Sequence, residues 1–219
     1  MKQLLTISIL LLTITQAGAQ SITPAVEAGF TFGRLTGRDI DSLSNGGPSQ
    51  SLKGLELGFT LHNKITKHFS LRHSLFYSNH NTPIRIDDGL HPVFKSKLRR
   101  QYLTLFPASP AWQWGKFQVY GGPYIGVLLS ASLQRKDSNG NLYTDKSFFG
   151  DPATMSNYSQ KFDAGLEAGV AYTLTKSLYI NARLVRGFVP LIEDASKQPQ
   201  WRIYNYNLIF TIGYQFAAP

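Results

Sequence analysis

The sequence predicts an all-β fold, an eight-stranded antiparallel up-and-down β-barrel that crosses a membrane. Three observations carry this expectation: apolar and polar residues alternate in segment after segment, the connections alternate between very short and long, and a leader-like segment opens the chain. Alternation with period two places one side-chain set on each face of a strand. Here the apolar face is long and aromatic-ended, while its opposite is small and polar.

The elements follow in order. Residues 1–19 have a basic start at Lys2, an apolar run from Leu4 to Ile14 and then Ala17-Gly18-Ala19. This reads as a secretory signal peptide cut after Ala19, because the run is shorter than the roughly 20 apolar residues a helical span needs. Residues 20–219 are then expected to form the barrel domain. Strand one, 24–33, sets Val26, Ala28, Phe30 and Phe32 against Glu27, Gly29, Thr31 and Gly33. Strand two, 51–62, sets Leu55, Leu57, Phe59 and Leu61 against Gly54, Glu56, Gly58 and Thr60. Strand three, 69–78, has Phe69, Leu71, Leu75 and Tyr77, with His73 among them, opposite Ser70, Arg72, Ser74, Phe76 and Ser78.

Strand four, 98–112, is irregular, and Pro107 and Pro110 remove ladder donors there and are expected to mark bulges or an early turn, so its faces are not assigned. Strand five, 117–133, opposes Val119, Ile125, Val127 and Leu129 to Gln118, Gly122, Gly126 and Ser130. Strand six, 161–174, opposes Phe162, Leu166, Val170 and Tyr172 to Asp163, Gly165, Glu167 and Gly169. Strand seven, 177–188, carries Leu178, Ile180, Ala182 and Leu184 opposite Asn181 and Arg183. The last, 202–216, aligns Tyr204, Tyr206, Leu208, Phe210, Ile212, Tyr214 and Phe216 on one face, with Ile209 the large apolar residue on the other.

Connections 63–67, 113–116 and 175–176 are tight, whereas 34–50, 79–97, 134–160 and 189–201 are long and rich in Gly, Pro, Asn, Asp and Ser. Short periplasmic turns alternating with long extracellular loops is the outer-membrane arrangement, with both termini periplasmic. A secreted soluble barrel of lipocalin type is the structural rival. Its outward face would be dense in Lys, Glu and Asp, whereas the polar face here is mostly Gly, Ser, Thr and Asn. The glycine pairs Gly29/Gly33, Gly54/Gly58, Gly122/Gly126 and Gly165/Gly169 recur on that face and leave room in a narrow lumen.

Composition agrees. The chain has 219 residues, no Cys, 14 Phe, 11 Tyr, 19 Gly and a formal net charge of +9. Without disulfides, an exported chain of this kind relies on a closed hydrogen-bonded sheet. Export argues against nucleic acid as the partner of the positive charge, and phosphates of outer-membrane lipid and lipopolysaccharide suit it better; solvated loops are the plainer alternative.

Eight strands leave an interior just wide enough for side chains, so an open pore is not expected. Glu27, Glu56, Arg72, Asp163, Glu167 and Arg183 are expected to point inward as a structural charge network, since buried charges must pair. A proton or ion path through them is the other reading. Arg100, on the irregular strand, is placed among these as well as in the basic run Lys95, Lys97, Arg99 and Arg100, which is a candidate contact for lipopolysaccharide phosphates. Phe30, Phe32, Tyr77, Phe117, Phe188, Trp201, Tyr204, Tyr214 and Phe216 are expected in the interfacial girdles. Tyr214 and Phe216 also supply the terminal-strand signal read by the barrel-assembly machinery.

No catalytic, metal or cofactor residues are assigned. His80, Asp87, Asp88 and His91 fall in the second long connection and superficially suit a rim-located lipid-modifying enzyme or a metal site, but no nucleophile elbow or metal-helix spacing accompanies them. The segment 137–141, Asp-Ser-Asn-Gly-Asn, lacks the closing acidic ligand of a calcium loop and reads as a turn.

Tyr102 to Pro107 (YLTLFP), followed by Tyr120 to Ala131 (YGGPYIGVLLSA), resembles the PorT-like outer-membrane β-barrel family, in which a YLEIP strand precedes a GPYVGYLL strand. The hairpin from Phe162 to Leu191 is similar to that family's next one, with Asp163, Gly165, Gly169, Tyr172, Arg183 and Gly187 on matching positions. Thr104 departs from the pattern where an acidic residue is frequent, as does the tail after Phe216. The resemblance implies a bacterial outer-membrane barrel with a structural or interaction role through its extracellular loops. It also implies, as an alternative, an accessory component of a protein secretion and gliding machinery.

Overall fold

Strand-forming alternation runs further along the chain than the apolar band alone indicates. The computed structural model describes residues 21–40, 52–86, 92–146, 158–159, 161–193 and 202–216. The expected leader, Asp87, Asp88, His91, Trp201 and the tail 217–219 lie outside these residues.

The strands are β1 (Ser21–Thr36), β2 (Leu52–Lys64), β3 (Phe69–Ile86), β4 (Phe94–Trp114), β5 (Phe117–Lys136), β6 (Leu142–Asp145), β7 (Tyr158–Ser159), β8 (Phe162–Thr173), β9 (Leu178–Gly187), β10 (Ile192–Glu193) and β11 (Tyr204–Gln215). Among the described residues eight of them close a ring in the order β4-β3-β2-β1-β11-β9-β8-β5, completed by β5 on β4. Every pair in the ring is antiparallel. The first and last staves pair over twelve residues, from Ala25 opposite Gln215 to Thr36 opposite Tyr204, and leave no open sheet edge. Strand β6 folds back on the end of β5 as a hairpin, and β7 pairs with β10 apart from the ring.

Large apolar side chains such as Phe30, Leu57, Phe59, Ile125, Leu166, Val170, Phe210 and Ile212 are exposed on the outside, and polar side chains fill the inside. A soluble barrel would reverse this order, because the exterior would have to meet water. At the end of the ring that carries the short turns, the two-residue turn between β4 and β5 places Gly115 at φ 59°, which a tight hairpin requires. Trp112, Trp114 and Phe117 stand outward beside it, with the Phe117 and Tyr172 rings 4.8 Å apart. The two tryptophans belong to the interfacial girdle, although the sequence pattern did not bring them out.

One expectation about the elements changes, and one left open is decided. The connection 79–97 is largely strand, since β3 runs to Ile86 and β4 starts at Phe94. The reason lies in a core above the apolar band: Leu35, Ile84, Leu98, Leu133, Leu191 and Ile203 meet inside the ring. There the inward face is aliphatic and the outward face basic, so the alternation inverts and reads as a loop. Of the bulge or early turn expected at Pro107 and Pro110, the structure shows the bulge, and β4 runs on through both prolines. Arg72 pairs with Ser109 and Ser74 with Phe106, so β4 carries one extra residue opposite His73, a bulge. Inward residues are therefore even-numbered up to Phe106 and odd-numbered from Ser109, which is why one alternation does not describe this strand.

Candidate functional site

The side chains that chemistry can use are gathered in the lumen and at its two rims. Nearest the short turns, Glu27 of β1 is the centre of a buried cluster. Its Oε1 accepts from Arg72 Nη2 (3.0 Å), Thr60 Oγ1 (2.9 Å) and the Tyr179 hydroxyl (2.9 Å). Its Oε2 accepts from Thr211 Oγ1 (2.7 Å) and Asn181 Nδ2 (3.1 Å). The Arg72 guanidinium lies 3.9 Å from the centre of the Tyr120 ring, and the Tyr120 hydroxyl donates to Asn181 Oδ1 at 2.7 Å. Charge, aromatic face and amide thus lock one another in place.

One layer further out, Arg183 of β9 is paired with Glu56 of β2. Its guanidinium sits 3.7 Å from the Phe76 ring centre and 5.1 Å from that of Phe106. Phe76, Phe106, Tyr124, Val185 and Ile209 surround it as an apolar constriction. Ser109 donates to Glu167 Oε1 at 2.5 Å. Beyond these lies the last polar layer: Arg100 donates to Asn205 Oδ1 and to Thr82, and Asn205 Nδ2 donates to Asp163 Oδ2 at 2.7 Å. The Tyr124 hydroxyl donates to the same carboxylate at 3.0 Å.

Among the described residues, all four carboxylates on the eight staves, Glu27, Glu56, Asp163 and Glu167, are buried in the lumen with Arg72, Arg100 and Arg183. A cavity of about 20 Å³ bordered by Glu56, His80, Tyr102 and Asp163 has room for one water at most. The lumen is thus filled by its own side chains.

Two sequence expectations need correction. Arg100, expected both among the inward charges and in the basic run, is buried in the lumen and leaves that run, because β4 alternates and Lys95, Lys97 and Arg99 take the other face. His80 is not in a rim loop. It is buried on β3, with Nε2 2.9 Å from Ser78 Oγ and Nδ1 3.4 Å from Thr31 Oγ1. Among the described residues no three His, Asp or Glu side chains group as metal ligands. The Asp137 carboxylate accepts from the backbone N–H groups of Asn139 (2.9 Å) and Asn141 (2.8 Å), so it ties the β5–β6 hairpin turn. Tyr214 and Phe216 stand outward at the short-turn end of the closing stave, their rings 5.3 Å apart.

Sequence reading missed the part played by asparagines. Asn181 and Asn205 each join residues from different staves, and only their inward register signalled it.

A family model for the outer membrane protein beta-barrel domain matches residues 19–193 of the chain. The chain belongs to that family. The protein is an outer-membrane β-barrel of the Gram-negative envelope. Its fold is similar to the outer membrane protein OprG from Pseudomonas aeruginosa, at a TM-score of 0.50 and 15% identity over 92% of this chain and 99% of that one. Neisserial surface protein A is similar at a TM-score of 0.48 and 14% identity over 91% and 100%. Ail of Yersinia pestis is similar at 0.46 and 13% identity over 89% and 98%. No curated protein matches the sequence.

Proposed function

We propose that this family member is a plugged, non-enzymatic envelope barrel that grips lipopolysaccharide phosphates with its outward basic rim and presents its extracellular loops to envelope partners. The observation that supports this reading is the sorting of charge. The stave carboxylates are all inside, while Arg34, Lys53, Lys95, Arg99 and Arg186 are exposed on the outward face toward the extracellular ends of the strands. Arg34 of β1 and Arg186 of β9 both pair with Tyr206, so the cations continue from stave to stave. Each cation held near an anionic membrane surface contributes about 1 kcal/mol, and Arg adds bidentate phosphate geometry.

The test is thermal unfolding of the barrel, followed by its gel shift, in nanodiscs with and without lipopolysaccharide. Lipopolysaccharide is expected to raise the midpoint, and Lys95→Gln, Lys97→Gln, Arg99→Gln in one chain is expected to lose most of that gain. A triple variant that keeps the full gain contradicts the reading.

A PorT-like accessory role in secretion is the second reading. The basic periplasmic mouth, with Lys64, Lys67, Lys116 and Lys176 on the short turns, favours it. Secretion by cells carrying turn substitutions measures it directly.

A further inference from the structure

The lumen is closed at its centre but not at its periplasmic end. There the β2–β3 turn and the ends of the neighbouring staves surround a recess of about 340 Å³, within the size range of small-ligand pockets. Lys64, Lys67, His62 and His68 line its wall with Gln113 and Gln118. Its floor is the Glu27 cluster: Gln118 Oε1 accepts from Arg72 Nη1 at 3.3 Å, and Tyr179, also on the lining, donates to Glu27.

One feature distinguishes the recess from an ordinary strand end. Among the described residues no Asp or Glu lines it, although lysines and histidines do. A ligand that brings negative charge to the lysines matches this lining.

We propose that this recess binds a carboxylate-bearing peptide segment presented from the periplasm. The lysine ammonium groups suit carboxylates, and the Gln113 and Gln118 amides together with the Thr23 and Thr173 hydroxyls suit peptide N–H and C=O groups. Lipid headgroups lie against the outward face, where Trp112 and Trp114 stand, whereas the recess is lined from the inside of the ring. The ligand therefore arrives through water. This site is at the opposite rim from the lipopolysaccharide contact and does not depend on it.

The test uses the full barrel in zwitterionic detergent, with a fluorescein-labelled hexaglutamate peptide read by anisotropy. Unlabelled peptide, inorganic phosphate and short-chain phosphatidylglycerol serve as competitors. Saturable binding is expected, displaced by unlabelled peptide at lower concentration than by either phosphate compound. Lys64→Gln with Lys67→Gln is expected to weaken it tenfold or more. Lys116→Gln with Lys176→Gln makes the same charge change on turns outside the recess and is expected to leave affinity within twofold. Equal loss in both lysine pairs, better displacement by phosphate or phosphatidylglycerol, or no saturable binding each overturns the proposal. Retained gel shift verifies folding, and if the first pair fails to fold, Lys67→Gln alone is compared with Lys116→Gln alone.

Discussion

Glu27 receives hydrogen bonds from Arg72, Thr60, Tyr179, Asn181 and Thr211, five side chains of four different staves. Both carboxylate oxygens are engaged, so its negative charge is fully used inside a space that excludes water. Glu27→Gln keeps the shape, removes the charge and leaves Arg72 buried without its counter-ion. Removing one partner of a buried ion pair costs about 3–5 kcal/mol, mostly through the charge left behind. The variant is expected to lose that much unfolding free energy in urea titrations of the refolded barrel. A change below about 1 kcal/mol, the level of exposed pairs, would contradict the assigned role.

Between staves, the recurring device is an aromatic ring laid over a glycine on the neighbouring strand. Phe76 faces Gly58, Tyr120 faces Gly169, Tyr124 faces Gly165 and Tyr179 faces Gly213, each as directly opposed partners. At Gly58, Gly169 and Gly213 an added methyl group would overlap the ring itself. The glycines therefore make space for the rings that carry the lumen network, beyond helping the sheet curve. Gly169→Ala forces Tyr120 off Arg72 and is expected to cost about 1–3 kcal/mol, as overpacking does. Gly126→Ala meets only ordinary contacts, the nearest at 3.6 Å, and is expected to be nearly neutral. Parallel urea titrations decide it: equal losses would show that curvature rather than ring space sets the cost.

At the level of the whole barrel, layered charge pairs and the Phe76–Phe106–Tyr124 constriction block the axis beneath the aliphatic cap. Planar-bilayer recordings are expected to show no step conductance, and persistent steps with the purified protein would overturn the plugged reading. Charge partition belongs to this scale too. The lumen nearly neutralises itself, so the chain's +9 is carried by the rims and connections.

Much of this architecture was legible in the chain because side-chain alternation is local. A period of two at Val26–Phe32, Leu55–Leu61 or Leu208–Phe216 already assigns faces, and short turns between long connections already order the staves. Partner choice was not legible. Which base meets Glu27 rather than Glu56, and that Asp163 meets Asn205 instead of a guanidinium beside it, depends on how register and shear close the ring. Those quantities join residues 42 to 184 positions apart. The same holds for Arg100 and His80, whose places follow from strands that continue above the apolar band around a core assembled from six separate segments. Alternation is a property of each stave alone, whereas a lumen exists only after all eight have met.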